Sequence, residues 1–251
     1  MCGRYTIFTS PDALEDRFGA TADRSLEPRY NAVANAKRLL PANLRFATAP
    51  GQELPVITND APDTIAHLQW GLIPAWADDP SIGNRLINAR AETVDEKRSF
   101  REAYERRRCL VLADGFYEWA ATDAGKQPYR VTLDDGEPFA LAGLWERWQP
   151  PQKQTGLDEF GNSEPDSEAD PVETFTIVTT EPNAVIEPLH DRMAVVLPAD
   201  SEQRWLDGDG DRTELLEPYP AEEMRAYPVS TTVNDPLNDA PELVEEVDAP
   251  A

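Results

Sequence analysis

The residue with the most distinctive chemistry in this chain stands second. In Met1-Cys2-Gly3-Arg4-Tyr5, loss of Met1 leaves Cys2 with a free α-amine and a thiol on one residue. Their reference pKa values, about 8 and about 8.5, make both partly reactive at neutral pH. Such an aminothiol has a reaction that an internal cysteine lacks. Its amine condenses with an aldehyde to an imine, and its thiol then closes a thiazolidine ring. The small side chain at position 2 also favours removal of Met1. The other cysteine, Cys109, follows Arg106-Arg107-Arg108 into the apolar run Leu110-Val111-Leu112 and reads as a buried core thiol. Two cysteines make no disulfide framework, and no Cys/His spacing suggests zinc. Neither a metal nor a cofactor is expected.

Four further places can carry chemistry. Glu118 lies between Tyr117 and Trp119; a carboxyl in an apolar hairpin has a raised pKa and can shuttle protons, whereas on an exposed strand it would be only a surface charge. In Leu86-Ile87-Asn88-Ala89-Arg90, an extended backbone puts Asn88 and Arg90 on one side. There Asn88 can hydrogen-bond an intermediate and Arg90 can grip a phosphate; the plainer reading is a turn asparagine and a surface arginine. His190 precedes Asp191-Arg192-Met193 in a loop entering a strand, while His67 alternates with apolar neighbours and reads as structural. Trp70-Gly71-Leu72-Ile73-Pro74-Ala75-Trp76 is an aromatic turn. Such a turn commonly anchors in a core; where Trp70 or Trp76 is exposed, it can stack on bases.

The elements that must hold these residues are mostly strands. Ser10-Pro11-Asp12 starts a helix that runs to Phe18-Gly19, with Ser10 as N-cap and Pro11 at its first position. Residues 22–44 read as irregular, with room for an insertion. Strands are predicted at Leu54–Thr58, Thr64–Trp70, Arg108–Ala113, Tyr129–Leu133, Phe139–Trp148, Thr174–Thr180, Ala194–Leu197 and Tyr227–Val233. Asp114-Gly115 reads as a turn that pairs Arg108–Ala113 with Phe116–Trp119. Short helical pieces fall at Ser99–Arg108, Asp200–Leu206 and Thr213–Leu216. With no βαβ rhythm, the fold class is α+β: one domain around a mostly antiparallel sheet or open barrel with short helices. That domain spans residues 1–240, with an acidic insertion loop near 149–172 and an acidic tail at 241–251.

The net charge is -24 over 251 residues. That charge alone argues against a nucleic-acid partner at low salt. The acid is unevenly placed, however, and Arg85–Arg108 gathers most of the clustered Arg and Lys. The surplus of Asp and Glu resembles the surface of a salt-adapted protein, for which molar salt shortens the Debye length to about 3 Å. No stretch approaches ~20 apolar residues, so no membrane span is expected, and the start shows no secretory pattern. The expected location is the cytoplasm.

Taken in order, these motifs resemble the SRAP family, the SOS response-associated peptidase proteins. The resemblance runs through Cys2–Tyr5, Trp70–Pro74, Ile87–Thr93, Cys109–Trp119, Gly143–Glu146, Thr179–Asn183, His190–Met193 and Pro228–Asn234. It implies a mostly β fold with a basic channel for single-stranded DNA, and a Cys2 that links to the ring-opened aldehyde of an abasic site. It implies that Asn88 positions the thiazolidine and that Arg4 and Arg90 hold phosphates, with Thr179 also on the DNA side. Glu118 would move protons in closure and reversal, and His190 would assist sugar-ring opening or the imine step. The peptidase label implies removal of the residue before Cys2.

Two departures stand out. The family's Arg-Tyr-Asn before Ala-Pro is missing from Arg45-Phe46-Ala47-Thr48-Ala49-Pro50, while Arg29-Tyr30-Asn31 stands earlier. Either an insertion displaced the motif or Ala47 replaced the asparagine. Ala194 also follows Met193, where the family usually has proline. The other readings of Cys2 are an N-terminal-nucleophile amidotransferase, a Cys2/His190 peptidase, and a nucleic-acid-binding β module in which Cys2 is incidental.

Overall fold

The computed structural model describes residues 2–34, 52–123, 125–150, 170–208 and 212–248. The Arg45–Pro50 segment and most of the acidic loop, 151–169, lie outside these described residues. The first part of the chain comprises β1 (Arg4–Ile7), α1 (Pro11–Phe18), β2 (Thr21–Ala22), β3 (Arg29–Val33), β4 (Glu53–Thr58), β5 (Ala61–Trp70) and β6 (Asn88–Arg90). Then come α2 (Arg101–Arg106), β7 (Arg108–Ala113), β8 (Gly115–Thr122), β9 (Gly125–Leu133), β10 (Phe139–Trp148) and β11 (Val172–Thr180). The last elements are β12 (Met193–Ala194), β13 (Val196–Leu197), α3 (Glu202–Asp207) and β14 (Met224–Pro228), with short 3-10 turns between them.

The strands form two sheets. One runs β14-β9-β8-β1-β3, antiparallel throughout. In the other, β5, β4, β7, β10 and β11 pair in succession. A parallel pairing of Thr174–Phe175 with Gln69–Trp70 closes that series on itself. The expected sheet or open barrel is thus a closed barrel of these five strands beside an antiparallel sheet. The main core draws on both sheets and includes Tyr5, Trp70, Cys109, Val111, Phe116, Leu141 and Phe175.

Local chemistry explains the helix that the sequence predicted. Ser10 Oγ accepts from the Ala13 N–H, Pro11 takes the first turn, and Gly19 stops the helix at φ 63°. The corner at Asp114-Gly115 corrects an expectation. It is no hairpin turn: β7 stays in the barrel, whereas β8 crosses to the other sheet and pairs with β1 and β9. A Cβ at Gly115 would come within 2.7 Å of the Arg130 guanidinium, so the corner requires glycine.

That guanidinium is part of a buried network. The Asp114 carboxylate accepts from Thr6 Oγ1, from the Phe8 and Thr9 N–H groups, and from Arg130. The network pins the end of β1 and therefore its register. Two further expectations are revised. The stretch read as irregular contains β3, whose polar residues Arg29, Tyr30 and Asn31 hide it from pattern reading. The last strand ends at Pro228, because Ser230 Oγ accepts from the Thr232 N–H and starts a 3-10 turn. Leu243, at the head of the predicted acidic tail, is buried with Tyr117, Tyr227, Val229 and Val233.

Candidate functional site

Cys2 lies at the open end of β1, fully buried. The register Tyr5↔Phe116 and Thr6↔Gly115, carried back along β1, brings Gly3 level with Glu118. Burial pushes the Cys2 thiol up to about 12, and the nearby charge of Glu118 adds to the rise. Glu118 is itself only 2% exposed. Burial raises its carboxyl to about 7; Asp191 adds to the rise and Lys126 opposes it. The two groups are suited to passing one proton: a thiol that gives it up only when attacking, and a carboxyl poised near neutrality to receive it.

Asn88 completes the floor. Its Nδ2 donates to the Cys2 carbonyl at 2.8 Å. Its Oδ1 is buried and accepts no hydrogen bond among the described residues. That leaves a buried acceptor with its capacity unused. The strand carrying it, β6, pairs in parallel with β11, matching Ile177 with Asn88 and Thr179 with Arg90. Arg90 is exposed.

His190 borders the site. Its Nδ1 accepts from the Arg192 N–H at 3.0 Å, yet also approaches Asp191 Oδ1 at 2.8 Å. One protonation state cannot satisfy both contacts. Burial holds the imidazole below its usual pKa and favours the neutral ring. A neutral ring accepts from the Arg192 N–H when its proton is on Nε2, and donates to Asp191 when its proton is on Nδ1.

Several sequence-predicted binding residues fall elsewhere. Trp70 is not available to a base. It is fully buried, stacks on Phe175, and donates from its indole N–H to the Ile87 carbonyl. Gly71, at φ 121°, turns the chain directly after it, where a Cβ would lie 2.7 Å from the Gly83 oxygen. Thr179 is likewise buried, with Oγ1 bonded to the Ala89 carbonyl, so its side chain braces β6 rather than facing DNA. Trp76 is 44% exposed, with Arg98 over its ring at 4.3 Å. Arg4 is partly buried. It gives its guanidinium to the carbonyls of Val233 and Asn234 and lies over Trp119. Cys109 is sealed in the core, where burial raises its thiol.

Other residues tied to the site were not among the sequence-predicted site residues, although Asn31 stands in the Arg29-Tyr30-Asn31 motif noted above. Arg192 makes a two-pronged ion pair with Glu92 and donates to the Thr179 carbonyl. This ties the His190 loop to the segment after Arg90. The available signal was its place two residues after His190. Asn31 is buried beside Arg4, and its Nδ2 donates to the carbonyls of Val233, Asp235 and Asn238. Lys126, exposed on β9, acts electrostatically on both Glu118 and His190. Among the described residues, no group of His, Cys, Asp and Glu is placed to hold a metal ion, and no helix is long and apolar enough to cross a membrane.

The fold and site define a class: a barrel-and-sheet protein with a shielded cysteine at the start of its first strand, served by a buried carboxyl and an amide. The family model for SOS response associated peptidase (SRAP) matches residues 1–236. The Bacillus subtilis abasic site processing protein YoqW is 39% identical, covering 98% of this chain and 99% of its own. The Escherichia coli abasic site processing protein YedK is 29% identical over 81% of this chain and 85% of its own. A crystal structure of a protein from Bacteroides thetaiotaomicron superposes with a TM-score of 0.78 at 26% identity, covering 98% of this chain and 100% of that one. The chain belongs to the SRAP family.

Proposed function

We propose that this protein processes abasic sites in single-stranded DNA by capturing them covalently through Cys2, after the preceding methionine has been removed. The ring-opened sugar of an abasic site presents an aldehyde. The Cys2 α-amine adds to it and water leaves, giving an imine. The Cys2 sulfur then adds to the imine carbon, and the imine nitrogen becomes a ring amine. Overall, aldehyde plus aminothiol give thiazolidine plus one water.

A thiol raised to about 12 is a poor nucleophile at rest. The amine therefore attacks first, and the thiol follows as its proton passes to Glu118. The Nε2–H of His190 is a suitable donor to the departing sugar oxygen or water. Asn88 holds the Cys2 carbonyl and offers Oδ1 to the ring nitrogen. Arg90, Arg98 and Trp76 supply the phosphate and base contacts. The observation that carries this reading is a buried Cys2 that feels the charge of the equally buried Glu118 carboxyl and whose carbonyl is held by Asn88, in a family whose relatives are named for abasic sites.

The test is incubation with an oligonucleotide holding one abasic site, followed by denaturing electrophoresis. A denaturant-stable adduct is expected from protein that lacks Met1, and none from protein that retains it. A fully active protein with Met1 in place would refute the thiazolidine step.

A further inference from the structure

The ladder between β1 and β8 is short. It pairs Tyr5 with Phe116 and Thr6 with Gly115, and among the described residues it stops there. Cys2 and Glu118 both lie beyond its end, so ladder bonds do not fix their spacing. Side chains alternate between the faces of a sheet. Glu118 and Trp119, neighbours on β8, therefore point to opposite faces, and Trp119 marks the back of the site.

On that back face side chains join the two strands. The Arg4 guanidinium lies over the Trp119 ring, 5.4 Å from its centre. Asn234 holds both residues. Its carbonyl accepts from Arg4 Nη2 at 3.0 Å, and its Oδ1 accepts from Trp119 Nε1 at 2.7 Å. The Val233 carbonyl takes Arg4 Nη1. From here the path to the site is short. The Arg4 carbonyl lies 3.9 Å from the Cys2 sulfur, within reach of an S–H donor, and Trp119 adjoins Glu118. Asn234 is itself well anchored. Asn31 Nδ2 donates to the carbonyls of Val233, Asp235 and Asn238, and Asn238 Nδ2 donates to the Thr232 carbonyl. The Asp239 carboxylate accepts from the Tyr30 and Asn31 N–H groups.

We infer that Asn234 is a positioning residue: by tying Trp119 to the group that holds Arg4, it sets the spacing of Cys2 and Glu118 from the opposite face of the sheet. This rests on the capture reading above and deepens it. A proton passes between two groups only at hydrogen-bond reach, and a misplacement of about 1 Å can cost about 10²-fold in rate even when its cause lies far from the chemistry.

The experiment uses the full chain without Met1, a single-stranded oligonucleotide holding one abasic site, and the variants Asn234→Leu, Trp119→Phe and both together. Each single change breaks the same hydrogen bond from one end. Single-turnover adduct rates are read at saturating DNA, and affinity is read in a Cys2→Ala background. Carbon-13 NMR follows the Glu118 carboxyl through its titration without DNA. Asn234→Leu is expected to lower the saturating rate about three- to thirtyfold, with affinity within about twofold. The Glu118 midpoint should fall from about 7 toward the ordinary carboxyl range as the group loosens from its buried place. The charges acting on Glu118, namely Asp191, Lys126 and the α-ammonium at the chain start, are untouched by these changes. Trp119→Phe should act alike, and the double variant should lose no more than either. Asn234→Asp keeps the acceptor and should hold the saturating rate within about twofold of the parent. A lowered melting temperature with unchanged rate and midpoint overturns the proposal, as do additive losses in the double variant. Absence of any adduct from the parent chain instead overturns the capture chemistry, and the NMR midpoint still reads Asn234 separately.

Discussion

The two cysteines of this chain are equally hidden and chemically unlike. Both are fully buried, and burial raises both thiols. Cys109 sits near the start of β7 opposite Gly143, where an added Cβ would come within 2.7 Å of its sulfur. Cys2 sits at a strand's open end, with Glu118 acting on its thiol and Asn88 on its carbonyl. Burial alone therefore does not distinguish the two thiols. The difference lies in the buried carboxyl that acts on one of them and, on the capture reading, in a backbone nitrogen that processing can free.

The sharpest break of this comparison is to exchange the roles. Cys2→Ala is expected to abolish the adduct and Cys2→Ser to leave no stable one, because a hydroxyl closes the ring poorly. Cys109→Ser should crosslink at a rate within about twofold of the parent, with a melting temperature lowered by the buried hydroxyl. An essential Cys109 with a dispensable Cys2 would sink the comparison.

Next comes the acceptor. Glu118→Gln should slow adduct formation and reversal by roughly 10²–10⁴-fold, the usual range for a lost general acid–base group. In the parent, the formation rate should climb with pH through about 7, and the variant should lose that step. The stability consequence has a definite sign. A carboxyl whose folded pKa lies above its unfolded value binds its proton more tightly when folded. Its contribution is complete below the ordinary carboxyl range and is lost as pH rises through about 7. Relative to the parent, Glu118→Gln should therefore gain stability between pH ~5 and pH ~8, on the order of 1–3 kcal/mol. Denaturant titrations at the two pH values check this; a constant difference would show that Glu118 does not titrate in this window.

A smaller effect separates chemistry from binding. Arg90→Ala should weaken binding of single-stranded DNA several-fold and flatten its salt dependence by about one counterion, while the single-turnover rate at saturation changes little. Anisotropy titrations across a salt series measure it. A lost rate with intact affinity would move Arg90 into the chemistry.

The buried pair Cys2 and Glu118 was more legible in the sequence than the surfaces around it. Cys2 and Glu118 stand out because one is at a chain start and the other is a charge between aromatics, and both signals are local. Trp70 and Thr179 could not be sorted the same way. Their burial follows from β11 lying beside β5 and β6, pairings across about a hundred residues that no local pattern encodes. The same limit hid the switch at Asp114-Gly115. Locally it looks like a tight turn, and only the destination of β8 shows otherwise. β3 escaped notice because its residues serve the 233–239 loop, and so lack strand-like alternation.

The position of β1 also bears on timing. It lies between β3 and β8, so its place in the sheet exists only after residues 115–122 have been synthesised. At ~5–20 residues per second, that is a delay of several seconds at least. Until then Cys2 lacks Glu118, and β1 lacks one of its two neighbouring strands. Once β1 docks, the residue is buried. Maturation of the nascent chain thus has a deadline set by sheet order, since the residue that processing must expose is by then already buried.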